Sequence, residues 1–287
     1  MERSLREVGV GAMFDRYRSA LNERFGANEA RAIGRAVFQE YLGWDIAQVE
    51  DHRADLLDDR TLERFESSLA RLREGEPLQY VLGHAWFMGL RLHVGPAVLI
   101  PRPETEELVQ CIMEQDRPFP RILDLGTGSG CIAIAIKKKW PASHVVGVDV
   151  SAEALDIARK NSDALGAQVE WRKCDVLASG TVFHGPFDLI VSNPPYVPRS
   201  DAFAMPKHVI DHEPHGALFV EDADPLVFYR AIADHASRAL SRGGSLWFEA
   251  HYQHAKAVAD LLLDLGYRDV RVEKDLSGAD RFIRAER

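Results

Sequence analysis

From Pro103 almost to its end, the chain alternates short apolar runs with stretches of helical spacing, and this pattern restricts the fold more than any other feature. TEELVQCIMEQ after Pro103 reads as a helix. The apolar runs are RILDL from Arg121, HVVGVDV from His144, QVEWRKCDV from Gln168, FDLIVSNPP from Phe187 and SLWFEA from Ser245. Strands separated by helices imply an α/β fold with a parallel sheet. DVRVEKD and RFIRAE, near the end, lie too close together for an intervening helix, so the last strand is expected to return as an antiparallel neighbour.

The first quarter has a different texture. Phe14, Tyr17, Leu21 and Phe25 recur at three- and four-residue steps, which puts them on one face of a helix. Asn28 is placed to cap a second helix carrying Ile33, Val37 and Tyr41, and Leu62, Phe65, Leu69 and Leu72 stripe a third. A small helical bundle is expected, its stripes serving packing. Between Glu76 and Arg102, Gly and Pro mix with short aromatic and β-branched runs, as in a hairpin and linker. The expected division is a helical domain over 1–75, a hairpin linker over 76–103 and an α/β domain over 104–287, a plan that 287 residues can support.

The net charge of -9 argues against general attraction to a phosphate backbone, whose nonspecific affinity comes from cationic side chains. Cys111, Cys131 and Cys174 stand far apart, which suggests neither a zinc cluster nor a disulfide framework and fits a reducing, cytoplasmic setting. No apolar run approaches the ~20 residues that span a bilayer, and MERSLREVGV carries charges where a signal peptide is apolar.

DLGTGSGCIAIAI sets Gly126, Gly128 and Gly130, with Thr127 and Ser129 between them, directly after a strand and before a helix. Absent side chains let such a backbone turn tightly and approach a ligand. Asp149 closes the next strand, where a carboxylate can accept both hydroxyl hydrogens of a ribose. A dinucleotide loop would carry a further glycine where this chain has Cys131, and would hold a pyrophosphate. S-adenosyl-L-methionine, which has an amino-acid portion, a sulfonium and adenosine but no phosphate, suits these residues better. Asp175, closing the third strand, is placed to accept the adenine amino group, with the backbone of Val176 at a ring nitrogen; a strand-end turn is the plainer reading of the same aspartate. Asp124 fits either ligand contact or support of the glycine loop from behind.

FDLIVSNPPYV is the most informative stretch, because an apolar strand delivers Asn193, Pro194, Pro195 and Tyr196 to the carboxyl edge of the sheet. An amide or exocyclic amino nitrogen is a poor nucleophile because its lone pair is delocalised. Two acceptors aimed at its N–H bonds would hold it with the lone pair toward a methyl donor. Asn193 can offer its side-chain carbonyl and Pro194 its main-chain carbonyl, while Tyr196 packs against the planar group. The two prolines restrict φ and remove competing donors. By itself Asn-Pro-Pro is an ordinary strand-terminating turn; following a strand and a glycine loop it reads as a catalytic signature. Methyl transfer from a sulfonium needs no metal, and His208, His212, His215, His251 and His254 read as exposed loop histidines. Lys137, Lys138 and Lys139 read as charge at the end of a helix.

PLQYVLG, LIPRPETEELV, RILDLGTGSGCIAIAI, VSNPPYV and HEPHGAL follow one another over most of the chain, and in this the sequence resembles the HemK/PrmC group of peptide-chain release factor glutamine methyltransferases. The resemblance implies a helical N-terminal substrate-docking domain, a hairpin linker and a seven-stranded, class I (Rossmann-like) methyltransferase domain. It also implies bacterial release factors as partners, with the glutamine of their Gly-Gly-Gln loop methylated without nucleic acid or membrane. Gly126 through Gly130 and Asp149 would then hold adenosylmethionine, Val176 would lie beside adenine, and Asn193 through Tyr196 would clasp the substrate amide, with Asn193 touching both ligands. FEAHYQHA departs from the group's pattern, which has glycines near His251 and His254, and a local change in the pocket floor is expected. Enzymes that methylate a ribosomal-protein glutamine or a DNA amino group share Asn-Pro-Pro-Tyr. The PRPETE stretch favours release factors, and the acidic balance disfavours DNA. Within that stretch Arg102, Glu104 and Thr105 could shape the cofactor entrance, and a polar helix start explains them equally well. A cofactor-retaining binding module would show a broken Asn-Pro-Pro-Tyr, which is intact here.

Overall fold

The computed structural model describes residues 7–115 and 117–287. They divide into two compact units, one running up to Gly83 and including Lys207–His212, the other comprising His84–Pro206 and Glu213–Arg287.

The first unit is helical: α1 (Val10–Leu42), α2 (Ile46–Asp51), α3 (Asp59–Glu74) and α4 (Leu78–Leu82). Its stripes meet in an aromatic centre, where the Phe38 ring lies 5.1 Å from Phe14 and 4.4 Å from Phe65. Tyr17 is fully buried there and satisfies its hydroxyl by donating to the Phe65 carbonyl at 2.7 Å. Each buried ring contributes roughly 1.5–3 kcal/mol of transfer free energy. The expected cap at Asn28 is not where the chain breaks. Only Gly26 leaves helical geometry within α1 (φ 76°), so Asn28 lies inside the second segment of a kinked helix. Glycine reaches that φ without a Cβ clash, which explains the earlier break. α4 was also not foreseen, because PLQYVLG carries too few residues to show a helical period.

The second unit begins with a hairpin, β1 (His84–Phe87) and β2 (Leu90–His93). Met88 and Gly89 form its two-residue turn with φ 50° and 73°, the left-handed pair that matches strand twist. After α5 (Pro103–Met113) come β3 (Arg121–Leu125), α6 (Cys131–Lys139), β4 (His144–Asp149), α7 (Ala152–Leu165), β5 (Glu170–Lys173) and β6 (Phe187–Ser192). The short strands β7 (Val197–Pro198) and β8 (Phe219–Val220) flank α8 (Lys207–His212), and the chain ends with α9 (Val227–Ala239), β9 (Leu240–Glu249), α10 (Ala255–Asp264), β10 (Arg268–Lys274) and β11 (Asp280–Glu286).

Seven strands form one sheet in the order β10-β11-β9-β6-β3-β4-β5. β9 through β5 run parallel, and β11 is antiparallel to both β9 and β10, as the short spacing near the end predicts. Successive residues of the inner strands serve opposite cores. Leu123, Val146 and Ile190 face the side covered by α9 and α10, whereas Ile122, Val145 and Leu189 face the side covered by α5 and α6. Burial on both faces is why these strands read as continuous apolar runs rather than alternating ones. β5 is only four residues, shorter than QVEWRKCDV suggests, and its position at the sheet edge leaves most of it exposed. β3 pairs with β4 on one side and β6 on the other, so the connections diverge there and open a crevice at the strands' carboxyl ends.

Candidate active site

A cavity of about 470 Å³ occupies that crevice, a size typical of small-molecule sites. The glycine loop enters it from β3. Gly126 and Thr127 both donate their amides to the Val148 carbonyl at 2.9 Å, which locks the loop to the end of β4. Gly126, Gly128 and Gly130 have φ of 74°, 54° and 81°, but they do different work. A Cβ at Gly128 would meet nothing within 4 Å, and one at Gly126 would find only the Asn193 carbonyl at 4.0 Å, so these two leave a cradle open. A Cβ at Gly130 would sit 2.8 Å from Trp171, so this glycine is required by packing at the start of α6.

Behind the loop, Asp124 is fully buried and accepts a hydrogen bond from Thr127 Oγ1 at 2.5 Å; burial pushes its carboxyl up to about 7. Asp149 lines the cavity, accepting from the Gly128 amide at 2.8 Å and the Ser151 amide at 2.9 Å. Asp175 lines it too, and its Oδ1 accepts from the Leu177 amide at 2.8 Å, so the strand-end turn is present in the same residue that faces the cavity. The Val176 carbonyl is engaged by His235 Nε2 at 2.9 Å.

Opposite, Ser192 ties β6 to β3 by donating to the Leu125 carbonyl at 2.6 Å, and Asn193, Pro194 and Pro195 follow as cavity wall. Asn193 Nδ2 donates to Thr105 Oγ1 at 3.1 Å, and Thr105 Oγ1 donates to Glu249 Oε2 at 2.7 Å. Tyr196 is not part of the cavity wall; it packs beside it, with its hydroxyl 3.5 Å from Glu249 Oε1. Glu249 is buried, and desolvation holds its carboxyl up at about 7.

Glu213 and Glu249 were missed as site residues by sequence reasoning; of the three residues open to either a cofactor-entrance or a helix-start reading, Arg102 and Thr105 line the cavity and Glu104 does not. Glu213, in HEPHGAL, is buried; it accepts from the Ile100 amide at 3.1 Å and from Arg102 at 2.6 Å, anchoring the segment that passes along the cavity. Glu249 closes an apolar strand at the carboxyl edge, the same signal that singles out Asp149. The histidines also depart from expectation. His208 and His212 lie on α8, while His251 and His254 are partly buried rather than exposed. Neither of the latter two reaches the cavity floor; the His251 ring lies 4.5 Å from Tyr252 and 6.1 Å from Tyr196. Lys137 does more than place charge at a helix end, since its Nζ donates to the Pro141 and Ser143 carbonyls.

The cavity's donor set fits adenosylmethionine. Among the described residues its charged lining consists of Asp149, Glu153, Asp175 and Arg102, and Arg102 is held by Glu213. Three carboxylates suit a cationic, phosphate-free nucleoside and disfavour a pyrophosphate.

Residues 13–83 match the PrmC N-terminal domain and residues 103–213 the methyltransferase small domain. The release factor glutamine methyltransferase of Bacteroides thetaiotaomicron is 41% identical over 270 residues, covering 94% of this chain and 97% of that protein. The chain belongs to the release factor glutamine methyltransferase family. The family member from Chlorobaculum tepidum is 39% identical over 266 residues, covering 88% of this chain and 89% of its own. A crystal structure of a methyltransferase from Pyrococcus furiosus shares the fold, with a TM-score of 0.51 at 18% identity over 80% of this chain and 98% of that one. The seven-stranded methyltransferase architecture and the adenosylmethionine dependence expected of the family follow for this chain. Among the described residues no helix is long and apolar enough to cross a membrane.

Proposed function

We propose that this protein methylates the side-chain amide nitrogen of the glutamine in the Gly-Gly-Gln loop of bacterial release factors. The observation that carries the reading is the setting of Asn193. Its amide NH2 is spent on Thr105, which turns the carbonyl Oδ1 to the other side, as an acceptor for a substrate N–H. The Pro194 carbonyl supplies the second acceptor, and the adjoining Pro195, which has no N–H, offers no competing donor. Tyr196, which stands outside the cavity wall, backs this segment with its hydroxyl toward Glu249.

Held by two acceptors, the amide nitrogen is oriented rather than deprotonated, and positioning of this kind lowers the barrier by removing the entropy of alignment. When bound, S-adenosyl-L-methionine supplies an electrophilic methyl carbon and leaves as S-adenosyl-L-homocysteine; the methylated nitrogen, now cationic and acidic, gives up one proton to solvent. In this reading Gly126, Thr127, Gly128 and Ser129 cradle its amino-acid portion while Gly130, packed against Trp171 and outside the cavity lining, sets the turn into α6; Asp149 accepts from the ribose hydroxyls, and Asp175 and the Val176 backbone border the adenine. No metal and no nucleic acid enter the reaction, and the cytoplasm is its compartment. The helical unit serves to dock the protein substrate.

Methyl transfer from labelled adenosylmethionine tests the assignment, with three parallel acceptors: intact release factor, a version with the loop glutamine changed to alanine, and duplex DNA. Label on the intact factor alone is expected. Label on DNA, or on the alanine version, would move the substrate elsewhere while leaving the methyltransferase fold in place.

A further inference from the structure

Asn193 can act as described only if its amide keeps one orientation, and the two ends of a primary amide are nearly the same size. Shape alone therefore cannot choose between them; hydrogen-bond polarity must. The groups beyond Asn193 form a chain with one fixed end. Glu249 closes β9, Thr105 sits in the first turn of α5, and Asn193 follows β6; Thr105 and Glu249 are 3% and 1% exposed.

In its ionised form Glu249 has no proton to give, so the single Thr105 hydroxyl hydrogen goes to it, across 2.7 Å. With that hydrogen committed, Thr105 Oγ1 can only accept, and its 3.1 Å neighbour must be the Asn193 NH2. Oδ1 is then the end left for the substrate. If Glu249 instead donated, Thr105 could donate to Asn193 Oδ1, the amide would reverse, and an N–H would face the substrate N–H. The same carboxylate receives the Tyr196 hydroxyl at 3.5 Å, and its backbone carbonyl is held by Tyr229 at 3.1 Å, so its place is fixed from two further directions.

The geometry points to Thr105 and Glu249 as positioning residues that set which end of the Asn193 amide faces the substrate, an inference that rests on the glutamine reading above. Neither residue touches the reacting atoms; both act through Asn193. Thr105→Val keeps shape while cutting the chain, Thr105→Ser keeps the hydroxyl, and Glu249→Gln replaces a carboxylate, which when ionised can only accept, with an amide that also donates.

The test is steady-state methylation of a Gly-Gly-Gln-containing release factor, with S-adenosyl-L-homocysteine binding measured by calorimetry on each variant. T105V and E249Q are expected to lower kcat by about 10- to 100-fold, the scale of a misplaced reacting group, with little change in KM for adenosylmethionine or in binding of S-adenosyl-L-homocysteine. T105S should recover most of the loss. The T105V/E249Q double variant should be no slower than the slower single, because both cut one chain. Variants with wild-type kcat, or a double variant whose loss is the product of the two singles, would overturn the inference while wild-type labelling of glutamine stands. If E249Q failed to bind the product, the contrast between T105V and T105S would decide the matter by itself. Wild-type enzyme that left the glutamine unlabelled would sink the functional reading first, and the inference with it.

Discussion

At the scale of single residues, the site depends on where one proton and one amide point. In the proposed reading Asn193→Ala removes an acceptor used as the nitrogen acquires charge, and kcat is expected to fall by about 10²-fold or more, well beyond any loss of product binding; a loss no larger in kcat than in product binding would leave Asn193 with its cofactor contact alone. Glu249 adds a pH dependence. Burial raises its carboxyl to about 7, against Arg281 on β11, which favours the charged form, and Glu104 on α5, which opposes it. Tyr196 and Tyr229 face it as hydroxyls, and Cys131 on α6 lies near enough to feel its charge. Only the ionised form forces the hydrogen-bond direction needed at Asn193. The kcat profile should therefore decline as pH falls through about 7, and that limb should be absent in T105V. A limb of equal size in both would place the titration on another group.

The elements deliver these residues by ending in the right place. β3, β4, β6 and β9 run parallel, so Leu125, Asp149, Ser192 and Glu249 all arrive at the same edge of the sheet. The strand-to-helix turn at 126–130 then separates two demands that look alike in a glycine pattern. Gly130→Ala would drive a Cβ to 2.8 Å from Trp171 in a left-handed conformation, and a loss of ~1–3 kcal/mol in stability is expected with or without ligand. Gly128→Ala meets no neighbour, so its cost in space appears only when the cradle is filled. Chemical denaturation with and without S-adenosyl-L-homocysteine separates the two: Gly128→Ala should show the larger loss of ligand-induced stabilisation, and Gly130→Ala the larger loss without ligand. The reverse ranking would mean that the cradle lies elsewhere on the loop.

For the whole molecule, a buried carboxylate beneath the cofactor loop is a standing cost to the fold. Asp124 is held at about 7 when folded, against about 3.9 in an unfolded chain. Between those values the folded state keeps a proton that the unfolded state has released. Stability from this group therefore falls as pH rises from about 4 to 7 and levels off above. Glu249 acts in the same sense. His93 and His251, whose burial holds them below the usual histidine range, act in the opposite sense through the middle of the window. A comparison of variants cancels these shared terms. Relative to wild type, Asp124→Asn should gain stability from pH 5 to pH 8, by on the order of a few kcal/mol. Unfolding curves for the two proteins that stay parallel across that range would show that Asp124 does not titrate there.

Periodicity and composition were enough to determine the fold class, the helical first unit, the parallel strands and the antiparallel return, because apolar spacing reports directly which faces must be buried. That residues 126–129, Asp149 and Asn193 through Pro195 gather at one cavity was legible for a second reason, since each follows or closes a strand at the same edge of a parallel sheet; that Gly130 and Tyr196 stand outside its lining was not. The break at Gly26 rather than at Asn28 was not legible, since the spacing of buried residues does not locate a kink within a helix that continues past it. Nor was the pairing of Thr105 with Glu249. They stand 144 positions apart and meet Asn193 only because the order β9-β6-β3 and the docking of α5 bring three distant segments to one edge. Which residues could do chemistry was written in local pattern; the direction in which Asn193 points depends on a hydrogen-bond chain that exists only after the sheet has closed around it.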